Sequence, residues 1–292
     1  MYELEKIGEK TYYIKSPTNV GVYKISDTEV YVIDAGNDKD TGKKIIKILN
    51  EQGWSIKGII NTHSNADHMG GNKVIQERTN CKVISSDFEN AFLKHPILEP
   101  SFLYGGYPFK ELRNKFLLAS PTEKVEDIEG NLPEGLEYIK IPGHYFGMIG
   151  IKTSDNVYFL GDFIFSQETI EKYHIFFIYQ VEEYLKTLEF LKTLQGELYI
   201  ASHVPATNDI KGLIEINKQK IEEIIQNILT ICKTQQTFEE ILKAIFDHYE
   251  LTMNANQYVL IGSTIRSYLS YLYDQDKLQI SYLDNKMYWR VK

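Results

Sequence analysis

The chain has 292 residues, too long for one compact domain and comfortable for two. Hydrophobic residues make up 43% and charged residues 25%, which excludes wholesale disorder, and no apolar run approaches the 18 residues of a membrane span. The net charge of −8 argues against a general nucleic-acid binder. The N-terminal MYELEKIGEK mixes charges at once, so no secretory signal is expected. Cys81 and Cys232 are too few for a disulfide framework, and a reducing cytoplasm is the expected setting. The 21 Tyr and 14 Phe need somewhere to sit.

Strand patterns open the chain: KTYYIKS, VGVYKIS and EVYVIDA are β-branched and aromatic runs, separated by turn residues at Ser16-Pro17-Thr18-Asn19 and at Asp27. Residues 39 to 52 switch to helical spacing, with Ile45, Ile46, Ile48 and Leu49 on one side. The apolar run IKGIINT then ends in a polar cluster. A helix over about 68 to 79, a short strand at 82 to 85 and an irregular stretch from about 95 to 133 follow. Strands resume at LEYIKIP, MIGIKTS and NVYFLGD, then a helix over about 180 to 194 and the strand ELYIASH. Strands in runs with helices between them predict an α+β class, a sheet domain with helices outside.

From Asp209 the pattern changes. Ile210, Leu213, Ile214, Ile221, Ile224, Ile225, Ile228 and Cys232 share one helical face, with N-cap candidates at Thr207-Asn208-Asp209. Helices over about 238 to 249 and 255 to 273 follow, and LQISYL and KMYWRV around Asp284-Asn285 predict a hairpin. Three helices and a hairpin is a winged-helix-like order. The expected division is 1–208 for the sheet domain and 209–292 for the tail.

The densest chemistry lies in Thr62-His63-Ser64-Asn65-Ala66-Asp67-His68-Met69-Gly70-Gly71, directly after a buried strand and opening a helix. His63, Asp67 and His68 are metal-competent groups, and Asn65 offers an amide oxygen. His144 in IPGHYFG, Asp162 in FLGDF and His203 in ASHVP also follow apolar runs beside Gly, Ser or Pro. Four of seven histidines fall at strand ends, where a sheet protein can gather ligands from separate strands. Gly70-Gly71 reads as close backbone packing rather than a phosphate loop.

THSNADHMGG, Gly143-His144, Gly161-Asp162 and Ser202-His203 resemble, in order and spacing, the five-motif signature of the metallo-β-lactamase superfamily, over about residues 1 to 208. The resemblance implies a four-layer αββα sandwich with metals at one edge between two sheets. It implies that His63 and His144 serve a first metal, Asp67, His68 and His203 a second, and that Asp162 bridges them. The sequence departs from the family's HxHxDH at Asn65, a weaker ligand for Zn²⁺ than imidazole. Asn65 ligating in a loose binuclear centre, a single metal in the second pocket, and a His63/His144/Asp162 facial triad for Fe(II), as in persulfide dioxygenases of the superfamily, are all left open.

The expected function is therefore a cytoplasmic metal-dependent hydrolase that uses a metal-bound hydroxide on an ester, thioester, lactone or phosphodiester, with Asp67 as the first candidate for the catalytic acid–base group and Asp162 as the alternative. The cofactor is a divalent metal, Zn with one or two ions, or Fe or Mn. The rivals are an Fe(II) oxygenase and a ligand-binding or regulatory protein with a decayed site. Residues 97 to 122 and 173 to 179 hold part of the aromatic surplus; the first stretch reads as either a lid or pocket wall or a satellite core or dimer contact, and the second as a further candidate cleft lining. Tyr107, Tyr145, His174 and Phe177 are the expected substrate contacts, for a partly apolar small molecule. His95 and His248 read as ordinary surface histidines. The tail from 210 carries ten Lys/Arg against ten Asp/Glu, and its third helix carries only Arg266, which argues against duplex DNA and leaves RNA open. Residues 1 to 209 hold 22 basic and 30 acidic residues, so the whole net charge belongs there.

Overall fold

A computed structural model describes residues 2–292. The antiparallel strands β1 (Glu3–Lys6), β2 (Thr11–Lys15), β3 (Val20–Lys24) and β4 (Glu29–Ile33) start the first sheet. The three expected runs are β2 to β4, and β1 adds an edge strand that lacks a clear apolar pattern. Helix α1 (Lys39–Glu51) starts where the Asp38 carboxylate accepts from the N–H groups of Asp40 and Thr41. It crosses to β5 (Ser55–Ile60), which runs parallel to β4.

The helix expected over 68 to 79 is two helices, α2 (Ala66–Met69) and α3 (Asn72–Thr79). The reason is local: the His68 carbonyl accepts from the Ala35 N–H at 2.7 Å and from Asn61 Nδ2 at 3.0 Å, so it cannot continue a helix. Gly70 and Gly71 lie between them, and a Cβ on Gly71 would sit 2.2 Å from the Ala35 carbonyl, the close packing expected of this pair. Strand β6 (Lys82–Ser85) and helix α4 (Asp87–Lys94) follow. The stretch expected to be irregular contains α5 (Leu98–Tyr104), a 3-10 turn at Lys110–Leu112 and β7 (Val125–Asp127). β7 lies parallel to β6 and completes a seven-stranded sheet in the order β1 to β7.

The second sheet contains β8 (Leu136–Lys140), β9 (Ile149–Thr153) and β10 (Val157–Phe159), then, after helices α6 (Gln167–Tyr173) and α7 (Val181–Leu191), β11 (Leu198–Ile200). Its order is β11-β10-β9-β8. Alternation along the strands gives each sheet two apolar faces. Tyr13, Tyr23, Tyr31 and Ile60 of the first sheet bury against Ile149, Ile151 and Phe159 of the second. The outer face of the first sheet packs Val22, Val32 and Val83 on Ile45 and Leu49 of α1 and Ile75 of α3. The outer face of the second carries α7 and the tail, which makes the layer sequence helix, sheet, sheet, helix.

The tail consists of α8 (Ile210–Ile231), α9 (Phe238–His248), α10 (Ala255–Asp274), β12 (Leu278–Leu283) and β13 (Lys286–Val291). Asp284 and Asn285 both have positive φ, 50° and 57°, as a two-residue type I′ hairpin turn requires. Ile221, Ile224, Ile228, Ile265 and Leu269 of the tail share one apolar cluster with Phe163, Tyr184 and Leu188. The core therefore runs on without a break past residue 208. Among the described residues, no helix is long and apolar enough to cross a membrane.

Candidate metal centre

The ligand candidates reach one edge of the sandwich because each follows the end of a strand. β5 delivers His63, and the turn into α2 delivers Asn65, Asp67 and His68. β10 delivers Asp162, β11 His203, and the β8–β9 loop His144. Two of these turns need glycine. At Gly143 (φ +125°) a Cβ would lie 2.4 Å from the Tyr184 backbone, and at Gly161 (φ +52°) 2.6 Å from Thr62 Oγ1. The Ser202 N–H donates to the Gly161 carbonyl and the Ile149 N–H to the Thr62 carbonyl, both at 2.9 Å, which ties the strand ends together.

The imidazoles are all turned the same way. His144 Nδ1 donates to the Phe177 carbonyl at 2.9 Å, His203 Nδ1 to the Pro17 carbonyl at 2.8 Å, and His68 Nδ1 to the Asp34 carboxylate at 2.9 Å. The Thr62 hydroxyl donates to Asp34 at 2.8 Å, so it accepts from His63 Nδ1 at 3.1 Å. Every Nδ1 thus carries a proton, and four Nε2 atoms point inward. His68 Nε2 lies 3.0 Å from Asp162 and 3.6 Å from Asp67. His203 Nε2 lies 3.2 Å from Asp67 and 3.3 Å from Asp162. His144 Nε2 faces the Asn65 amide oxygen at 3.3 Å, and the buried His63 Nε2 has no partner at all. Asp67, His68, Asp162 and His203 form one group whose ligand atoms lie within 4.8 Å of one another, and His63, His144 and Asp162 form another.

These donors fit a divalent cation. A buried lone pair with no hydrogen to accept is costly, and two acceptors facing each other are worse. A cation resolves both at once. The charges point the same way. Burial, the largest influence, holds His63 well below its ordinary pKa, with the neighbouring His68 and His144 adding to it; burial likewise lowers His144. At His68 burial also acts downward, but Asp162, Asp67 and Asp34 outweigh it and hold the imidazole well above its usual value. His203 is pushed up to about 11, first by Asp162 and against burial. Burial acts upward on Asp67 and Asp162, yet the facing imidazoles bring both below the ordinary carboxylate range.

Three further carboxylates stand beside the site, and two of them, Glu89 and Glu99, carry no sequence signal of their role. Asp34, at the end of β4, accepts from the Thr62 backbone and hydroxyl and from His68, and so orients two of the imidazoles. Glu89 of α4 is fully buried and accepts from the Ser64 N–H and hydroxyl and the Gly147 N–H; burial pushes its carboxyl up to about 7. Glu99 of α5 is buried and accepts from Asn65 Nδ2 at 2.7 Å, and burial raises its carboxyl well above the ordinary value. The pattern Ile33-Asp34 at a strand end was the one readable hint.

Asn65, Asp67, His144, Asp162 and His203 line a cavity of about 690 Å³, and His63 and His68 are fully buried and do not line it. Phe165, Phe176, Phe177 and Leu103 wall it on one side, and Leu260 and Ile261 of α10 on another. Phe177 and Tyr145 are therefore at the cavity, and the Tyr145 hydroxyl is buried without a partner. Two expected contacts lie elsewhere. Tyr107 is 73% exposed and accepts from Arg113. His174 stacks on Tyr249 and faces Lys220 in a separate cavity. Aromatic composition marks a stretch but not which of its faces turns inward. The stretch 97 to 122 is both wall and satellite core: Leu103 and Leu117 line the cavity and also cluster with Leu112 and with Val259 of α10. His95 and His248 are exposed, as expected.

A hydroxyacylglutathione hydrolase of Erythrobacter litoralis is 47% identical over 51 residues, 18% of this chain and 20% of that protein. A "probable metallo-hydrolase" of Methanocaldococcus jannaschii is 36% identical over 111 residues, 37% of this chain and 49% of that one. The chain thus matches at most about half the length of these two curated relatives. The crystal structure of a metallo-beta-lactamase family protein from Thermus thermophilus shares the fold across 99% of this chain and 98% of its own, tail included, with a TM-score of 0.72 at 17% identity. A family model described as the metallo-beta-lactamase superfamily matches residues 14–203, and the chain belongs to that superfamily.

Proposed function

We propose that the protein is a metal-dependent hydrolase of a neutral, partly apolar acyl compound, an ester, thioester or lactone. The observation that carries this reading is the convergence of four Nε2 atoms and two carboxylates at one sheet edge, with Asp67, His144, Asp162 and His203 of that cluster lining a cavity of about 690 Å³. His63 and His144 would hold a first cation, Asp67, His68 and His203 a second, and Asp162 would serve both. Such a cation, zinc being the first expectation, supplies Lewis acidity that brings the pKa of water to about 7 and polarises the scissile carbonyl. The chain's own groups do the rest. Asp67, held by the Thr18 hydroxyl at 3.3 Å and by His203, is placed to orient the attacking water and take its proton.

The wall decides the substrate class. Among the described residues Lys172 is the only lysine or arginine lining the cavity, and Glu168 on the same helix offsets it. A phosphodiester or RNA backbone would need several. The winged-helix-like tail acts in this reading as a cavity wall rather than a nucleic-acid reader, since Arg266 already lies over the Phe238 ring. A cytoplasmic setting is supported by two buried free cysteines. The second reading, an Fe(II) oxygenase, rests on the compactness of the His63/His144/Asp162 group. Elemental analysis with a panel of thioester, ester, lactone and phosphodiester substrates tests both. Zinc or manganese with acyl hydrolysis supports the hydrolase, one iron per chain without hydrolysis supports the oxygenase, and absence of any bound metal defeats both.

A further inference from the structure

The position where this chain departs from the superfamily pattern is built, not eroded. Asn65 stands between two groups that both accept hydrogen bonds. On one side its Nδ2 donates to Glu99 Oε1 at 2.7 Å, and Glu99 is only 5% exposed. On the other its Oδ1 faces His144 Nε2 at 3.3 Å, and that nitrogen bears a lone pair because Nδ1 donates to the Phe177 carbonyl. A free asparagine amide facing a bare imidazole nitrogen would turn its NH₂ toward that nitrogen and gain a hydrogen bond. Here Glu99 takes the NH₂ instead and leaves oxygen against nitrogen. That orientation is unfavourable for the protein alone and favourable only with a cation in front of the oxygen.

We infer that Glu99 is a positioning residue that fixes the Asn65 side chain with its oxygen toward the first pocket, so that Asn65 and Glu99 together replace the imidazole of the usual pattern. This rests on the proposed first pocket of His63, His144 and Asp162. Glu99 itself stays a residue away from the cation and acts through the amide, as carboxylates behind ligating histidines do. An acceptor behind the NH₂ also polarises the amide and makes its oxygen a better ligand than an ordinary asparagine offers.

Calorimetric titration of demetallated protein with Zn²⁺, paired with Co²⁺ absorption spectra, tests this without reference to turnover. The binding event that belongs to the first pocket is the one that His144→Ala removes. Glu99→Leu is expected to weaken that event at least tenfold and shift the Co²⁺ spectrum, whereas Glu99→Gln, which keeps an acceptor for the amide, stays within about threefold of wild type. In an Asn65→Ala background Glu99→Leu is expected to add nothing, because the amide through which it acts is gone. Equal affinity of wild type and Glu99→Leu, or the same loss in both backgrounds, overturns the inference while leaving the metal site standing. If wild type binds neither Zn²⁺ nor Co²⁺, the metal reading itself fails. Should Glu99→Leu not fold, a crystal structure of wild type with Co²⁺ decides. Asn65 oxygen on the cation with its NH₂ on Glu99 supports the inference, and an amide turned away from the cation overturns it.

Discussion

The two halves of the candidate metal centre lie side by side and are built on opposite principles. In the half formed by Asp67, His68, His203 and Asp162, carboxylates and imidazoles face each other at 3.0 to 3.6 Å, and protons on the imidazoles can balance the charge. In the half formed by His63, Asn65 and His144, neutral donors present lone pairs, one of them wholly without a partner. The first arrangement can hold itself together without a metal. The second is held in place from behind, by Thr62, the Phe177 carbonyl and Glu99. Preorganisation at one half is electrostatic and local, and at the other it depends on neighbours that never touch the cation.

The largest effect is expected at the residue common to both halves. Asp162→Ala should leave the protein without bound cation and lower hydrolysis on the order of 10³-fold, read by elemental analysis and steady-state kinetics; a full cation content in one half would show that the halves are independent. Next comes Asp34, which touches His68 directly and His63 only through the Thr62 hydroxyl. Asp34→Ala is expected to weaken the His68 half about 10–100-fold and the His63 half less; titration calorimetry that found the reverse order would break the comparison. Asn65→His replaces a neutral amide by imidazole and should strengthen zinc binding in the His63 half about tenfold, roughly 1.4 kcal/mol, with no change in the other.

The smallest effect belongs to the far end of the same strands, where charge serves stability alone. There Asp155 accepts from the Lys10 N–H at 2.9 Å and the Thr11 hydroxyl at 2.6 Å and joins the two sheets. Burial acts upward on this carboxyl, but those hydrogen bonds outweigh it and hold it below its ordinary value of 3.8. A depressed folded-state pKa adds stability above about pH 4 that is lost as pH falls through the folded value. Asp155→Ala should therefore cost about 1 kcal/mol at pH 7, with the gap to wild type closing below about pH 4 in urea unfolding. A gap that persisted there would mean that packing, not charge, is what the residue supplies.

Much of the centre was legible because its residues obey a local rule. His63, His144, Asp162 and His203 each follow an apolar run and a small or turn-forming residue, so a strand end is written into the sequence around them. Glu89 and Glu99 obey no such rule. In sequence each is an acid inside a short helix rather than directly at a strand end, and only the packing of α4 and α5 shows that it faces inward. Tyr107 and His174 illustrate the converse: aromatic density drew attention to both, and the fold turned Tyr107 to solvent and His174 into a second cavity. The break in the 68–79 helix was invisible because the competitor for the His68 carbonyl, Ala35, lies 33 residues earlier in the chain.

The shared core past residue 208 also sets an order of events during synthesis. The last candidate ligand, His203, leaves the ribosome about 60 residues ahead of the α10 wall at Leu260 and Ile261. At roughly 5–20 residues per second this is an interval of about 3–12 s. For that time every ligand exists while the apolar surface of α7 and the second sheet waits for its cover. A cation could therefore be taken up at the candidate centre before the α10 wall of the cavity is in place.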